Sequence, residues 1–121
     1  MDKELFGAVD QYISDLFNDH DSSLLATEES IKEFNIPPIS VSPNQGKFLQ
    51  LLAKLCQSKK ILEIGTLAGY STISLARALP ANARLSTLEY DPLHSRVAPA
   101  TLSLAGLHKI VESLIVKAPT I

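Results

Sequence analysis

Residues 59–72 carry the pattern that most restricts how this chain can fold. The segment reads KKILEIGTLAGYST, which is a short apolar run with an acid near its end, then two glycines four positions apart, then a helix-like stretch. A strand, a tight glycine loop and a helix in this order build the loop of a nucleotide-type cofactor site. The segment therefore predicts a parallel α/β sheet with a ligand at its carboxyl edge.

Composition fits one globular domain and gives no electrostatic reason for a polyanionic partner. The chain has 121 residues, 45% of them hydrophobic and 20% charged, with a formal net charge of −2. Nucleic acid and anionic membranes both favour a basic surface, so neither is an expected partner. The chain start lacks a signal-peptide pattern and no apolar run approaches the roughly 18 residues of a membrane span, which favours a cytoplasmic protein.

The N-terminal part of the chain predicts three helices. Apolar residues recur at three and four residue spacings between residues 5 and 17, which indicates a first helix whose apolar stripe docks on another surface. A second helix is expected over about residues 22–34, before two prolines exclude helical backbone. Ser42, Pro43 and Gln45 then have the arrangement of an N-cap, a first-turn proline and a capping box.

The third helix is expected to run to about residue 57 with its apolar side facing the core. Cys56 is expected in the core beside that side, as a packing residue rather than a reactive thiol. The apolar positions predicted to face inward are Phe48, Leu51, Leu52 and Leu55.

From residue 59 onward the pattern alternates between strand and helix. Strands are predicted at residues 61–64, 84–88 and 110–116, and helices at 70–79 and 92–105. This is a βαβαβ half of a doubly wound, Rossmann-like fold, in which right-handed crossovers give the strand order 3-2-1. Residues 59–121 are thus expected to form the first half of a cofactor-binding domain, and residues 1–58 a helical region before it.

The glycine loop narrows the class of ligand. Only Gly65 and Gly69 are present, whereas a dinucleotide site normally has three glycines and a phosphate-binding loop has a lysine after them. The spacing suits a cofactor with an adenosine and one small carboxylate, to which Ser71 can donate near the helix start. Glu89 ends strand two, where a carboxylate can accept from a ribose diol. S-adenosylmethionine has this shape.

These motifs make the sequence resemble the cation-dependent O-methyltransferases of the catechol and caffeoyl-CoA type. The matching segments are PPISVSPNQG (37–46), LEIGTLAGYST (62–72), LSTLEYDP (85–92) and AGL (105–107). The resemblance implies a Rossmann-like methyltransferase fold, S-adenosylmethionine as the cofactor, and methyl transfer to a hydroxyl of a small, phenolic acceptor. It also implies that the helical region at residues 1–58 serves substrate-cap and dimer contacts.

The resemblance also implies roles for nine cofactor-binding residues. Residues 41–42 would lie over the methionine part of the cofactor, and Glu63 would steady its amino end. The cradle of the cofactor would be formed by Gly65, Gly69, Tyr70 and Ser71. Glu89 would bind the ribose, with Tyr90 beside the adenine. The nine residues are Val41, Ser42, Glu63, Gly65, Gly69, Tyr70, Ser71, Glu89 and Tyr90.

Structural alternatives exist for several of these residues and for the histidines. Glu63 would otherwise cap backbone amides, Tyr70 would serve packing, and Tyr90 would cover the sheet edge. The histidines lie at polar or terminal positions without metal-ligand spacing, so they are expected to be solvated; they are His20, His94 and His108.

Two positions depart from the family pattern near the expected cofactor. Val116 stands where the family usually has a glycine facing the adenine, and its branched side chain would crowd the ring. Pro99 lies inside the helix after strand two, where it removes a backbone donor and should kink the helix.

The catalytic half of the family's site is expected to be missing. In the family a divalent cation, expected to be Mg²⁺, aligns the acceptor hydroxyl, and its ligands follow strands four and five. The chain reaches only strand three, so no catalytic and no metal-binding residue is predicted in it.

A truncated methyltransferase, inactive alone, is the first expectation for this chain. Its strand one would have a bare edge, which favours a homo-oligomer or pairing with a missing second half. The alternatives are a naturally shortened protein that binds a small molecule without methylating it, and an oligomeric partner of a full-length methyltransferase.

Overall fold

The computed structural model describes residues 2–17 and 21–117, which form five helices and a three-stranded parallel sheet. The elements are α1 (Lys3–Phe17), α2 (Ser22–Glu33), α3 (Pro43–Leu55), β1 (Lys60–Ile64), α4 (Tyr70–Ala76), β2 (Arg84–Glu89), α5 (Pro92–Leu104) and β3 (Val111–Ile115). None of the described helices is both long and apolar enough to cross a membrane.

The sheet confirms the predicted Rossmann-like half. β2 lies between β1 and β3 and pairs parallel with both, so that Leu85 stands opposite Ile61 on one side and Val111 on the other. The order 1-2-3 is the predicted order 3-2-1 read from the opposite edge. Since all three strands run the same way, their carboxyl ends meet at one edge.

Side-chain caps explain where three helices begin. Ser42 accepts the amide of Gln45 while the Gln45 side chain accepts the amide of Ser42, which is the predicted capping box. Asp21 caps α2 and Asp91 caps α5 in the same manner, each accepting two amides of the first turn. α5 then continues past Pro99 as one helix to Leu104.

The hydrophobic core lies on one face of the sheet. Ile73 of α4, Leu85 of β2 and Leu102 of α5 are buried together, with Ile61 and Val111 packed against them. The opposite face has no helix over it among the described residues, and Leu62 and Ile64 are 64% and 82% exposed. Parallel sheets are normally covered on both faces, so this face is incompletely buried.

The prediction for the inward side of α3 was wrong. Its apolar side chains are exposed, Leu55 by 79%, and the side that packs against α4 contains the small residues Gly46 and Ala53. Small residues let two helices approach closely, and this close packing turns the apolar stripe outward. Cys56, predicted in the core, is likewise exposed at the end of α3.

The apolar stripe of α1 does not dock within the described chain. α1 has no buried residue, and its polar side contacts the start of α3. The Asn44 side-chain amide donates to the Asp10 carboxylate at 2.7 Å and to the Asp10 carbonyl at 2.9 Å. Within residues 2–17 and 21–117, no element therefore buries the apolar stripe of α1, contrary to the expected docking.

Replacing Gly46 should show how tightly α3 packs on α4. A Cβ on Gly46 would lie 2.8 Å from Ser74 Oγ and 3.1 Å from Tyr70 Cε1, and both residues are buried. Glycine to alanine normally stabilises a helix interior by about 1 kcal/mol, but overpacking costs about 1–3 kcal/mol. We expect Gly46→Ala to lower the free energy of unfolding in urea.

Gly7→Ala is the matched control, because Gly7 lies inside α1 and a Cβ there would meet nothing within 4 Å. It should be neutral or stabilising by up to about 1 kcal/mol. Equal effects of the two substitutions would contradict the packing described for α3 and α4.

Candidate functional site

A cleft of about 390 Å³ opens at the carboxyl edge of the sheet. It is bounded by the ends of β1 and β2, the glycine loop before α4, and the segment that leads into α3. Seven of the nine predicted site residues line it: Val41, Glu63, Gly65, Tyr70, Ser71, Glu89 and Tyr90. Ser42 and Gly69 are not among the lining residues; Ser42 caps α3, and Gly69 is the buried N-cap of α4.

The loop between β1 and α4 has a left-handed backbone at three positions. Gly65 has φ of 94° and Gly69 has φ of 98°, values that favour glycine. A Cβ on Gly69 would also lie 3.1 Å from Thr101 Oγ1. Leu67 lies between the glycines with φ of 52°, which is unfavourable for a bulky residue and nothing in the sequence indicates it. The loop therefore needs bonds that hold it in place.

Glu89 supplies such bonds from the end of β2. Its Oε1 accepts the amides of Thr66 at 3.0 Å and Leu67 at 2.9 Å, and its Oε2 accepts the amide of Asp91 at 3.1 Å. The residue is only 5% exposed. A carboxylate offers about four acceptor positions, so Oε2 keeps capacity for a further donor from the cleft.

Glu63 is the second buried carboxylate, and hydroxyl groups surround it. Ser71 Oγ donates to Oε2 at 2.7 Å, Thr87 Oγ1 donates to Oε1 at 2.7 Å, and Thr72 also donates to Oε1. Since the single proton of Thr87 goes to Glu63, Thr87 accepts from Thr66, whose Oγ1 is 2.6 Å away. Glu63 thus accepts hydrogen bonds from hydroxyl groups. The structural alternative, in which Glu63 would cap backbone amides, had expected amide donors instead.

Tyr70 forms a wall of the cleft and is packed from behind by α3. The Tyr70 ring lies so close to Gly46 that a Cβ on Gly46 would be 3.1 Å from Tyr70 Cε1, and Tyr70 is 5% exposed. Burial, with the nearby carboxylates of Glu28 and Asp21, raises the pKa of Tyr70 to about 12. The phenol therefore stays neutral over the physiological pH range.

His94 lines the cleft and corrects the expectation that it is solvated. The side chain is 13% exposed, with Nδ1 3.6 Å from Glu89 Oε2 and Nε2 3.7 Å from Asp91 Oδ2. The sequence could have indicated this, because His94 lies in the first turn of the helix that follows strand two, close to the carboxyl edge of the sheet. His108 is exposed as expected, and His20 lies outside the described residues.

Apolar lining residues were also missed by the sequence reasoning. Ile39 lies in the segment before α3 and Leu49 in α3. Ile64 is the last residue of β1, and Leu67 lies in the glycine loop that follows it. Val116, expected to crowd the ligand, is not among the residues that line the cleft, and its amide donates to the Glu89 carbonyl at 2.9 Å.

A larger cleft of about 760 Å³ lies behind Tyr70, between α1, α2, α3 and α4. Burial alone would raise the pKa of Asp21, which lies in the wall of this cleft. Hydrogen bonds from Arg77 and from the Leu24 and Ser23 amides, with the Arg77 charge, outweigh burial and hold that pKa below its usual value. The Arg77–Asp21 ion pair spans 2.8 Å. Among the described residues that line this larger cleft, Tyr70 is the one predicted site residue, whereas seven predicted site residues line the smaller cleft.

The described residues contain no grouping of three or more His, Cys, Asp or Glu side chains that would hold a metal ion. The chemistry that these residues offer at the cleft is recognition: two buried carboxylates, a glycine loop and an apolar lining.

The family follows from comparison with known proteins. A model of the O-methyltransferase family matches residues 17–119. The chain belongs to the O-methyltransferase family. It is 61% identical over 112 residues to catechol O-methyltransferase of Niastella koreensis, covering 93% of this chain and 51% of that protein. It is 42% identical over 107 residues to catechol O-methyltransferase of Mycobacterium tuberculosis, covering 88% and 49%.

Solved structures of O-methyltransferases share the fold. TomG of Streptomyces achromogenes, an O-methyltransferase crystallised with SAM, has a TM-score of 0.89 and 43% identity, covering 95% of this chain and 52% of that one. The O-methyltransferase of Bacillus cereus with SAH has a TM-score of 0.86 and 45% identity, covering 89% and 49%. The chain thus spans about half the length of these O-methyltransferases.

Removing one hydroxyl from the group around Glu63 should destabilise this O-methyltransferase chain. Thr87→Val keeps the shape of the side chain but takes a donor from the buried Glu63 and an acceptor from Thr66. Leaving buried polar groups unsatisfied costs about 1–3 kcal/mol. We expect a loss of that size in the free energy of unfolding from urea denaturation.

Ser86→Ala is the matched control on the same strand. The Ser86 hydroxyl makes a single long contact, 3.5 Å to exposed Glu112. Its removal should change stability by less than about 0.5 kcal/mol. A Thr87→Val variant as stable as Ser86→Ala would show that the hydroxyl group does not support the Glu63 carboxylate.

Proposed function

We propose that this chain carries the methyl-donor site of an S-adenosylmethionine-dependent O-methyltransferase, which methylates a hydroxyl of a small, phenolic acceptor. The observation that carries the proposal is the charge of the cleft. Two carboxylates, Glu63 and Glu89, line it, and no lysine or arginine is among the described lining residues. A cleft of this kind favours a ligand with net positive charge.

The charge of the cleft separates the candidate cofactors. S-adenosylmethionine carries a sulfonium and an ammonium against one carboxylate, so its net charge is positive. Dinucleotides and nucleoside triphosphates carry several phosphate charges, which two buried carboxylates would repel, and His94 is the one basic side chain among the described lining residues. The two-glycine loop and the charge of the cleft therefore both favour S-adenosylmethionine over a phosphate-bearing cofactor.

Individual residues fit parts of S-adenosylmethionine. Glu89 Oε2 faces the cleft with acceptor capacity left after the Asp91 amide, which suits a ribose hydroxyl. Tyr90 is 66% exposed at the rim, where its ring is available to stack on an adenine. Glu63 and the lining at Val41 would then lie towards the methionine part.

The hydroxyl of Ser71 has a defined direction in this site. Ser71 Oγ donates its proton to Glu63 Oε2 at 2.7 Å. Towards a ligand it therefore presents lone pairs, which suit the ammonium of S-adenosylmethionine. Donation to the ligand carboxylate, the role inferred from sequence, would require the hydroxyl to turn away from Glu63.

S-adenosylmethionine, when bound, supplies a methyl group activated by the positive sulfonium. The residues of this chain contribute binding and orientation. The carboxylates attract the positively charged S-adenosylmethionine, the glycine loop permits its close approach to the backbone, and Tyr70 forms an uncharged wall. We assign the acceptor hydroxyl and a divalent cation to the remaining part of a longer protein. That part would also cover the exposed Leu62 and Ile64 face of the sheet.

Calorimetric titration of the 121-residue chain with S-adenosylmethionine tests the proposal. We expect saturable binding, and no binding of NAD at the same concentrations. Glu89→Gln keeps a carbonyl acceptor for the loop but removes the negative charge, and should weaken S-adenosylmethionine binding at least tenfold. Circular dichroism of the variant would establish that the fold is retained.

Glu112→Gln is the matched control, because it removes one negative charge from an exposed position on β3. Its affinity for S-adenosylmethionine should equal that of the wild type. No heat at millimolar S-adenosylmethionine, or tighter binding of NAD, would refute the proposed donor site.

A further inference from the structure

His94 is the one basic side chain among the described residues that line the cofactor cleft, and two carboxylates lie beside it. Its Nδ1 is 3.6 Å from Glu89 Oε2, and its Nε2 is 3.7 Å from Asp91 Oδ2. Both distances exceed that of a hydrogen bond but lie within the range of an ion pair. The imidazole is therefore placed to pair with both carboxylates when it is protonated.

The start of α5 holds the imidazole at this position. The His94 amide donates to the Asp91 carboxylate at 3.4 Å, and the Asp91 amide donates to Glu89 Oε2 at 3.1 Å. The side chain of His94 is only 13% exposed. Since partly buried charges are screened much less than exposed ones, a charge on this imidazole acts on the whole cleft.

The other ionisable side chains that line the cleft are carboxylates and phenols. Glu63 comes from β1 and Glu89 from β2, while Tyr70 and Tyr90 contribute phenol groups. Burial raises the pKa of Tyr70 to about 12, which keeps that phenol neutral. Histidine is the side chain whose charge ordinarily changes between about pH 5 and 8. The net charge of the cleft near neutral pH therefore depends on His94.

The elements packed against α5 add no other charge to the cleft lining. α5 contacts α2, β2 and β3. The charged residues of α2 and β3 are absent from the described lining residues; they are Glu28, Glu29, Lys32, Glu33 and Glu112. The exposed Arg96, two positions after His94 on α5, is absent from that lining as well.

We infer that His94 is a specificity-determining residue, whose protonation sets how strongly the cleft prefers S-adenosylmethionine over the product S-adenosylhomocysteine. The inference rests on the function proposed above, because it concerns the same cleft. The donor carries one net positive charge on account of its sulfonium, whereas the product, a thioether, is a neutral zwitterion. An imidazolium in the cleft repels the cationic donor more than the neutral product. Neutral His94 therefore favours the donor, and protonated His94 weakens that preference.

Protonation of His94 would also affect the ribose, but equally for both ligands. An imidazolium paired with Glu89 Oε2 occupies the acceptor position that suits a ribose hydroxyl. Donor and product carry the same ribose, so both lose this bond. The ratio of their dissociation constants therefore isolates the effect of the sulfonium charge.

Calorimetric titration of the 121-residue chain with each ligand between about pH 5.5 and 7.0 tests the inference. A free α-amino group stays largely protonated over this range, so both ligands keep their charges. We expect the preference for S-adenosylmethionine, measured as the ratio of the two dissociation constants, to rise about fivefold with pH. A coupling of this size is at the lower end of those between two binding events.

Two substitutions fix the charge at position 94 in opposite directions. His94→Gln is neutral throughout and should show the strong preference of the wild type at about pH 7 over the whole range. His94→Lys is positive throughout and should show the weak preference at every pH. The matched control is His108→Gln, which removes an exposed histidine outside the cleft and should follow the wild-type profile. Circular dichroism would establish that all three variants are folded.

Proton release on binding gives a second readout, which a purely structural role of His94 would not produce. Because the donor favours neutral His94, its binding at about pH 6 should release a fraction of a proton from the wild type. Titration in buffers with different heats of ionisation measures this release. The His94→Gln variant should release none.

The outcomes separate this inference from the proposed donor site. If the wild type binds S-adenosylmethionine but its preference over the product does not change with pH, the inference fails and the donor site stands. The same holds if the preference falls as pH rises, or if His94→Gln follows the wild-type profile. No binding of either ligand at any pH would refute the donor site and, with it, the role of His94.

Discussion

The site depends on the bond between the Glu89 carboxylate and the loop that follows β1. Leu67 in that loop has a left-handed backbone, and such a conformation costs about 1–3 kcal/mol. Hydrogen bonds to a charged group contribute about 1.5–3 kcal/mol each, and Glu89 accepts two from the loop, at Thr66 and Leu67. The bonds outweigh the strain, so one carboxylate at the end of β2 fixes the shape of the loop that forms the cleft.

The same carboxylate connects the fold to the proposed chemistry. Burying Glu89 and Glu63 without a lysine or arginine in the cleft would be costly, but each accepts three hydrogen bonds, from amides and from hydroxyls respectively. Their remaining charge is directed at the cleft. The groups that hold the loop in place are thus also the groups that would select a cationic methyl donor over a phosphate-bearing cofactor.

The secondary structure and seven of the cleft-lining residues were predictable because they depend on local patterns. The capping box at Ser42, the strand ending in Glu89 and the two glycines each have a physical signature within a few residues, and the structure shows all three. The outward side of α3 was not predictable, since periodicity marks an apolar stripe without saying what covers it. The Thr87 hydroxyl beside Glu63 was missed because the two residues meet through strand pairing, 24 positions apart in sequence. His94 was missed although it lies in the first turn of α5, near Glu89 and Asp91.

Backbone amide shifts in a ¹⁵N-labelled sample titrated with S-adenosylmethionine test the central claim most directly. If Glu89 and the glycine loop form the donor site, the amides that move should be those of residues 65–71 and 89–90 at the carboxyl edge. Shifts confined to Leu24, Lys47 and Arg77 would place the ligand in the larger cleft behind Tyr70. That result, or the absence of any shift at saturating ligand, would contradict the account.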